Sequence, residues 1–374
     1  MTKILYPPAR LGVMGSGQLG RMFAQEAIRM GYQVSVYSPE RNSPASLAGA
    51  SEIVAPYEDE SSLQIFLKSI DALTFEFENI PGAELNFISE YSEKYSLPVF
   101  PSPENIRIAQ HRIREKTLFT KLGLPTVPFY PITNKAEATK AAETSKFPAV
   151  LKTSSFGYDG KGQTKFKTKE EFRAWVGSLG QEPLDLILEE WYEFDKEGSV
   201  ILARDQKGNT LCFSPSENIH KNHILDTTIH PGNFSDSLKK QMIESAKTLA
   251  EGIDYVGVFG LEFFIKGDKI VLNEFAPRPH NSGHFSQNGA NISQFQLQLR
   301  CLTGLPFPSK LSSLTSSMKN ILGQDYLPDS ALWAKYLADE RYALHLYGKS
   351  DPRQDRKMGH WNYVGDGAER AFPQ

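Results

Sequence analysis

Apolar and polar residues alternate in a strand–helix–strand pattern at the start of the chain. Two short apolar segments, residues 11–14 and 33–37, have the composition of buried strands. The segment between them, residues 21–30, has the spacing of an amphipathic helix. A glycine-rich turn, residues 15–20, joins the first strand to this helix. The pattern predicts an open parallel α/β unit.

The residues that flank this turn bear on its ligand. A helix N-terminus behind a glycine-rich turn attracts anions. The dinucleotide fingerprint also expects Asp or Glu at the end of the second strand, whereas Tyr37 and Ser38 stand there. A phosphate-bearing ligand other than NAD is therefore predicted. Glu76 and Glu78 share one face of a later strand tip, where they either bind a hydroxyl or amine of that ligand or are edge-strand charges.

A second glycine-rich loop, residues 157–163, follows an apolar run that ends in Lys152. A lysine that leaves a strand can meet phosphate oxygens, and glycines let backbone N–H groups approach the β- and γ-phosphates of a nucleotide. A plain turn would have a similar composition. The loop alone therefore leaves both interpretations open.

An apolar hairpin with two acidic residues favours the nucleotide interpretation. Segments 258–265 and 270–275 flank a Gly-Asp turn, and they carry Glu262 and Glu274. With a three-residue loop these glutamates would face each other, which is unfavourable unless a cation lies between them. Mg²⁺ commonly binds one or two carboxylates together with substrate phosphates, and the adjacent Asn273 offers another oxygen. In another register both glutamates would face solvent.

Basic and imidazole side chains form two further groups. Residues 276–284 follow the second glutamate strand and contain Arg278, His280 and His284, which predicts an anion site beside the metal. The second group consists of Lys349, Arg353, Arg356, Lys357 and His360. Such a density of Arg and Lys either binds a phosphomonoester or is a solvated face.

Composition excludes several classes of function. The chain has 374 residues and a formal net charge of −3, which argues against nonspecific nucleic-acid binding. Its two cysteines, Cys212 and Cys301, are far apart, which suggests a reducing compartment without a disulfide framework. No signal-peptide segment or apolar run of membrane-spanning length is evident. A cytoplasmic protein without nucleic-acid or membrane partners is expected.

Five segments carry a resemblance to a known family: residues 15–22, 156–163, 260–262, 273–284 and 356–360. Their order and content resemble the ATP-grasp superfamily and, within it, the N5-carboxyaminoimidazole ribonucleotide synthetases of purine biosynthesis. The resemblance implies ATP- and bicarbonate-dependent carboxylation of 5-aminoimidazole ribonucleotide through carboxyphosphate, with ADP and phosphate as products. It also implies Mg²⁺ and a homodimer.

The resemblance further implies an ATP-grasp fold of class α/β, with α+β character in the central part. Residues 1–108 are expected to form a Rossmann-like pre-ATP-grasp domain, and the proline-rich residues 98–103 indicate a boundary near its end. Residues 109–305 are expected to form the ATP-grasp domain, with a small lid subdomain at about 120–188. Residues 306–374 are expected to form a small strand-rich domain.

The resemblance also implies a site for each substrate. The ATP site would consist of Arg112, Lys152, Gly157, Tyr158, Asp159, Gly160, Lys161, Gly162, Gln163, Glu189, Glu190, Trp191, Tyr192, Glu197, His220, Asn273 and Glu274. Glu262 and Glu274 would hold Mg²⁺. The ribonucleotide would contact Gln18, Leu19, Glu76, Asn281, Lys349, Arg356 and Lys357. Tyr158, Asp159, Lys161, Arg278 and His280 would surround bicarbonate and carboxyphosphate as the catalytic residues.

Alternative functions differ in specific residues. Formate-dependent glycinamide ribonucleotide transformylases resemble this chain, but their first glycine turn typically carries Glu at the position of Gln18. An NAD-dependent oxidoreductase built on residues 15–20 leaves the Glu262 and Glu274 pair unexplained. A nucleotide sensor would bind ATP without turnover.

Overall fold

The structure, a computed structural model, describes residues 4–155 and 162–372. Its N-terminal part contains β1 (Arg10–Met14), α1 (Gln18–Arg29), β2 (Gln33–Ser38), β3 (Ser51–Val54), α2 (Glu60–Lys68), β4 (Ala72–Phe75), α3 (Gly82–Tyr95) and α4 (Pro103–Ala109). The strands pair in parallel in the order β3-β2-β1-β4. The predicted open parallel α/β unit is confirmed, although α1 begins at Gln18 rather than at residue 21.

The next part of the chain forms an antiparallel sheet with two helices on one face. It contains α5 (Arg112–Lys121), β5 (Phe129–Ile132), α6 (Lys135–Thr144), β6 (Ala149–Thr153), β7 (Gln163–Phe166), α7 (Lys169–Ser178) and β8 (Leu186–Glu190). Its strands pair in the order β5-β8-β6-β7. Buried alanines of α6 and Phe172 of α7 pack against Ile132 and Leu151 of the sheet, which leaves the opposite face available for a ligand.

The remaining elements build the largest sheet. They are β9 (Lys196–Arg204), β10 (Thr210–Cys212), β11 (Ser216–Lys221), β12 (Ile224–His230), α8 (Asp236–Gly252), β13 (Gly257–Lys266), β14 (Lys269–Ala276), α9 (Ser286–Gly289), α10 (Gln294–Thr303), β15 (Ser316–Leu322), α11 (Ala331–Leu337), β16 (Tyr342–Leu346) and β17 (Lys357–Val364). Within the described ranges this sheet has nine strands, in the order β14-β13-β9-β11-β12-β15-β17-β16 with β10 beside β9.

The C-terminal strands continue the central sheet, because β12 pairs antiparallel with β15. Their own apolar cluster includes Trp333, Tyr336 and Trp361. The α/β class with an N-terminal parallel sheet, a central antiparallel part and a C-terminal strand-rich part is confirmed. The boundaries at 108 and 305 stay predictions. In the part of the chain that the structure describes, no helix is long and apolar enough to cross a bilayer.

Candidate active site

A cavity of about 1290 Å³ lies between the four-stranded antiparallel sheet and the nine-stranded sheet, and it extends to the first glycine turn. The predicted site residues converge on it from the whole chain. Among those that the structure describes, all except Gly162, Lys349 and Arg356 line it. Gly157, Tyr158, Asp159, Gly160 and Lys161 lie outside the described residues.

The two acidic residues of the hairpin meet in this cavity by a route that the sequence prediction missed. The loop between β13 and β14 has two residues, not three, because Lys266 pairs with Lys269. A regular ladder from that turn would leave Asn273 alone opposite Glu262. A β-bulge instead sets both Asn273 and Glu274 against Glu262, since the pairing shifts between Leu261 and Phe263. Direct pairing of the two glutamates was therefore wrong, but their proximity stands.

Electrostatics at this bulge favour a bound cation. Burial, and then the charge of Glu274, raise the pKa of Glu262 to about 7. Burial, and then the charge of Glu78, also raise the pKa of Glu274. The Asn273 amide donates to Glu262 Oε2 at 3.4 Å, and His280 Nε2 lies 3.4 Å from Glu262 Oε1. Two carboxylates that line one cavity with so little compensation match the donor set that Mg²⁺ uses beside phosphate groups.

On the opposite wall, a buried carboxylate holds two lysines. Lys152 Nζ lies 2.7 Å from Glu189 Oε2, and Lys116 Nζ lies 3.4 Å from Glu189 Oε1. Burial raises the pKa of Glu189, but the two ammonium groups outweigh it and lower the pKa to about 2. Glu189 thereby keeps both cations at the cavity wall. The Arg112 guanidinium donates to the Thr153 carbonyl oxygen at 2.8 Å beside them.

We call residues 189–192 the hinge; they were predicted to belong to the ATP site, and they lie at and just after the end of β8. Trp191 is 43% exposed, and Lys165 Nζ lies 3.1 Å from the centre of its ring. The aromatic rings of Tyr192, Phe194 and Phe264 form a stack that borders the same end of the cavity. This end therefore offers the apolar cover that a planar base requires.

A pair on neighbouring strands lies between this end and the acidic hairpin. His220 Nδ1 lies 2.8 Å from Glu197 Oε2. Burial alone would lower the pKa of His220, but the hydrogen bond and the carboxylate charges raise it. A hydrogen-bonded carboxylate at this position can accept from the hydroxyl groups of a sugar.

The loop that contains Arg278 and His280 is fixed by long-range contacts. Arg278 forms a bidentate ion pair with Glu78, in which Nε donates to Oε2 at 2.7 Å and Nη2 donates to Oε1 at 3.2 Å. The backbone of His280 exchanges two hydrogen bonds with the buried Gln294 side chain, at 2.9 and 2.8 Å. A Cβ at Gly260 would lie 2.5 Å from His280 Cβ, so glycine permits this close approach. Burial, and then Arg278, hold the pKa of His280 well below its ordinary value.

The first glycine turn is occupied by a carboxylate of the protein itself. Glu76 accepts hydrogen bonds from the backbone N–H groups of Gly17 and Gly20. A Cβ at Gly15 would lie 2.5 Å from Glu76 Cγ, which explains the glycine there. In this structure Glu76 is the anion at this helix N-terminus, and the phosphate-bearing ligand stays a prediction. The two glutamates of the strand tip separate, because Glu76 caps α1 and Glu78 pairs with Arg278.

The C-terminal basic group splits in two. Lys357 lines the cavity, and Lys349 Nζ donates to its carbonyl oxygen at 3.0 Å. Burial, and then the charge of Arg356, lower the pKa of Lys349 to about 8. His360 is fully buried and lies with its Nδ1 at 2.8 Å from the Tyr347 hydroxyl. Arg353 instead lies in solvent against Asp351, so only part of the group can reach a ligand.

Some residues of the site were missed by the sequence analysis. Lys116 and Glu115 are buried on the inner face of α5 beside Phe119, so their charges interrupt an apolar helix face. That interruption was a readable signal. Gln294 gave no comparable signal, because its importance arises only from its contact with the His280 loop.

Three family models match consecutive parts of the chain. They are the ribonucleotide synthetase preATP-grasp domain over residues 9–110, the ATP-grasp domain over 117–295 and the phosphoribosylaminoimidazole carboxylase C-terminal domain over 316–372. Together with a nucleotide-sized cavity between two antiparallel sheets, they define an ATP-grasp protein.

Comparison with known proteins shows which family within the ATP-grasp class this chain resembles. A Brucella melitensis N5-carboxyaminoimidazole ribonucleotide synthase is 36% identical over 95% of this chain and 96% of its own length. An N5-carboxyaminoimidazole ribonucleotide synthetase solved with ADP has a TM-score of 0.89 at 36% identity, over 99% of this chain and 96% of that one. A synthase from Aspergillus clavatus, solved with ADP and 5-aminoimidazole ribonucleotide, has a TM-score of 0.85 at 28% identity, over 98% and 96%. The chain belongs to the N5-carboxyaminoimidazole ribonucleotide synthase family.

Proposed function

We propose that this protein carboxylates 5-aminoimidazole ribonucleotide with ATP and bicarbonate to give N5-carboxyaminoimidazole ribonucleotide, ADP and phosphate. One observation carries the proposal. A single cavity joins the Lys152 wall, the paired Glu262 and Glu274, and the Arg278 loop to the Gln18 turn and Lys357. We further propose Mg²⁺ as the metal, a homodimer as the assembly and the cytoplasm as the location.

The reaction divides into two steps. A bicarbonate oxygen attacks the γ-phosphorus of ATP, the bond to the β-phosphate oxygen breaks, and ADP leaves. The amine of the ribonucleotide then attacks the carboxyl carbon of carboxyphosphate, the bond from that carbon to the phosphate oxygen breaks, and the amine loses a proton. Phosphoryl transfer depends mainly on positioning and charge neutralisation. Whether released CO₂ is the immediate acceptor does not alter this balance.

In this proposal the walls of the cavity have separate tasks. Lys152, Lys116 and Arg112 bind the phosphates once ATP replaces Glu189 as the partner of the lysines. The base lies at the hinge around Trp191, with Glu197 on the ribose. Glu262 and Glu274, with Asn273, hold Mg²⁺, which supplies charge neutralisation at the phosphates.

The residues proposed to bind and activate bicarbonate lie between the metal site and the ribonucleotide site. Arg278 attracts bicarbonate, and its ion pair with Glu78 keeps the guanidinium in a fixed orientation. His280 is uncharged at neutral pH, since its pKa lies well below the ordinary value. A neutral imidazole donates or accepts a hydrogen bond without adding charge near carboxyphosphate. Tyr158, Asp159 and Lys161 are proposed to complete this part.

The decisive experiment compares two pairs of substrates. ADP release should depend on 5-aminoimidazole ribonucleotide and be supported by bicarbonate. Glycinamide ribonucleotide with formate should give only background release, because Gln18 stands in the first glycine turn. Equal or greater ADP release with the second pair would overturn the proposal. A control without any ribonucleotide measures uncoupled ATP hydrolysis.

Affinity for Mg²⁺ should fall as the pH is lowered from about 8 to about 6. The pKa of Glu262 is raised to about 7, so the carboxylate is ionised above this pH and protonated below it. Only the ionised form binds the cation, so protons compete with Mg²⁺ and the loss should approach about tenfold. Calorimetric titration of the enzyme–ADP complex with Mg²⁺ at several pH values measures this change. A pH-independent affinity, corrected for ionisation of ADP, would contradict it.

A further inference from the structure

A tight turn carries an unexpected histidine to the cavity. Strands β11 and β12 pair Lys221 with Ile224, so Asn222 and His223 alone form the connecting loop. Both have positive φ, 50° for Asn222 and 66° for His223. This is the geometry of a type I′ hairpin turn, in which glycine is the favoured second residue. A histidine there is strained, because its Cβ crowds the backbone in the left-handed region.

The fold gains nothing visible from the imidazole. Its side chain is exposed, and among residues 4–155 and 162–372 no hydrogen bond or ion pair to it is found. His223 nevertheless lines the cavity, as do Asn222 before it and Leu225 after it. Backbone strain that no internal contact repays is characteristic of residues that act on a ligand.

The position in the cavity indicates which ligand. The turn lies near His220, from which only Lys221 separates it, and the His220 ring is hydrogen-bonded to Glu197 at 2.8 Å. Glu197 is the residue proposed to hold the ribose of ATP, and the acidic metal site lies beyond it on β13. We propose that His223 donates a hydrogen bond to the ribose–phosphate part of the bound nucleotide. This inference rests on the ATP-dependent reaction proposed above and adds a binding residue to it.

Replacing His223 by glycine tests the inference with two measurements: the stability of the protein should rise, and its affinity for ADP should fall. The variant should melt about 1 to 2 °C higher without ligand, because glycine relieves the strain. Its dissociation constant for ADP with Mg²⁺ should rise about three- to tenfold, because the hydrogen bond is lost. His223→Asn, which keeps a donor and tolerates positive φ, should show a smaller loss of affinity.

Asn42→Gly is the matched control. Asn42 is exposed, has a φ of 50°, and lies in the N-terminal part away from the cavity. It should show a similar rise in melting temperature with an unchanged dissociation constant for ADP.

Three results would overturn the inference. The first is wild-type ADP affinity in His223→Gly. The second is a lower melting temperature, which would show that the ring stabilises the fold. The third is a change confined to the KM for the ribonucleotide. Direct ADP binding keeps this test separate from the proposed reaction, since a wild-type protein that binds ADP without carboxylating the ribonucleotide would refute the reaction alone.

Discussion

Replacing Glu274 by glutamine should reduce kcat for ADP formation about a thousandfold and leave the protein folded. Glu274 faces Glu262 across the bulge, and the two are the proposed ligands of Mg²⁺. Loss of one carboxylate should displace the metal and the γ-phosphate, and metal stabilisation of transition-state charge is worth several kcal/mol. Steady-state kinetics at limiting and saturating Mg²⁺ measure the effect.

Stability gives this variant a second readout. Burial and the charge of Glu78 raise the pKa of Glu274, so its ionised form is unfavourable in the protein without metal. The melting temperature of Glu274→Gln without metal should therefore equal or exceed that of the wild type. Glu244→Gln is a suitable control, since this exposed carboxylate on α8 pairs with the nearby Lys247 and does not line the cavity among the described residues. Wild-type turnover of Glu274→Gln at limiting Mg²⁺ would refute the metal-binding role.

Replacing Arg356 by alanine should lower kcat/KM for the ribonucleotide roughly 10- to 150-fold, since a charge-assisted hydrogen bond contributes ~1.5–3 kcal/mol. Arg356 is near Lys349, whose ammonium contacts the Lys357 carbonyl oxygen at the end of the cavity. This basic group is proposed to bind the 5′-phosphate. The KM for MgATP should change little. Kinetics with each substrate varied in turn separate the two constants.

The neighbouring Arg353 provides a matched control. Both arginines contact Asp351, but the side chain of Arg353 is 70% exposed and that of Arg356 only 29%. Arg353→Ala removes a similar charge from the same loop and should leave both KM values unchanged. If Arg356→Ala instead raises the KM for MgATP, the group serves the nucleotide. Equal effects of both substitutions would indicate that the basic group acts through its overall positive potential rather than through a direct contact of Arg356 with the phosphate.

The sequence was sufficient for features that depend on local pattern. The strand–helix–strand unit and the Gly-Asp hairpin followed from apolar periodicity and turn chemistry, which act over a few residues. The order of the glycine and acidic motifs was also enough to identify the resemblance that the comparisons then confirmed. Individual residue roles stay predictions, including those of Tyr158 and Lys161.

The pairing register of the strands at Glu262 and Glu274 could not be predicted from the sequence. A bulge shifts the pairing by one residue between the buried Leu261 and Phe263, at a place where β13 also pairs with β9, a strand that is distant in sequence. Likewise, the glycines of the first turn favour an anion, whether it belongs to a ligand or to the protein itself. Only the position of β4 beside β1 shows that Glu76 supplies it.

The sequence by itself determined the first strand–helix–strand unit, the hairpin of β13 and β14, and the motif order that carries the family resemblance. The tertiary structure alone decided which charges meet: Glu78 with Arg278 and Lys116 with Glu189. The physical reason is that a charge is buried only beside a partner, and the partner can come from any element that folding brings near. Local preferences specify where a strand begins and ends, whereas long-range packing specifies what its side chains face.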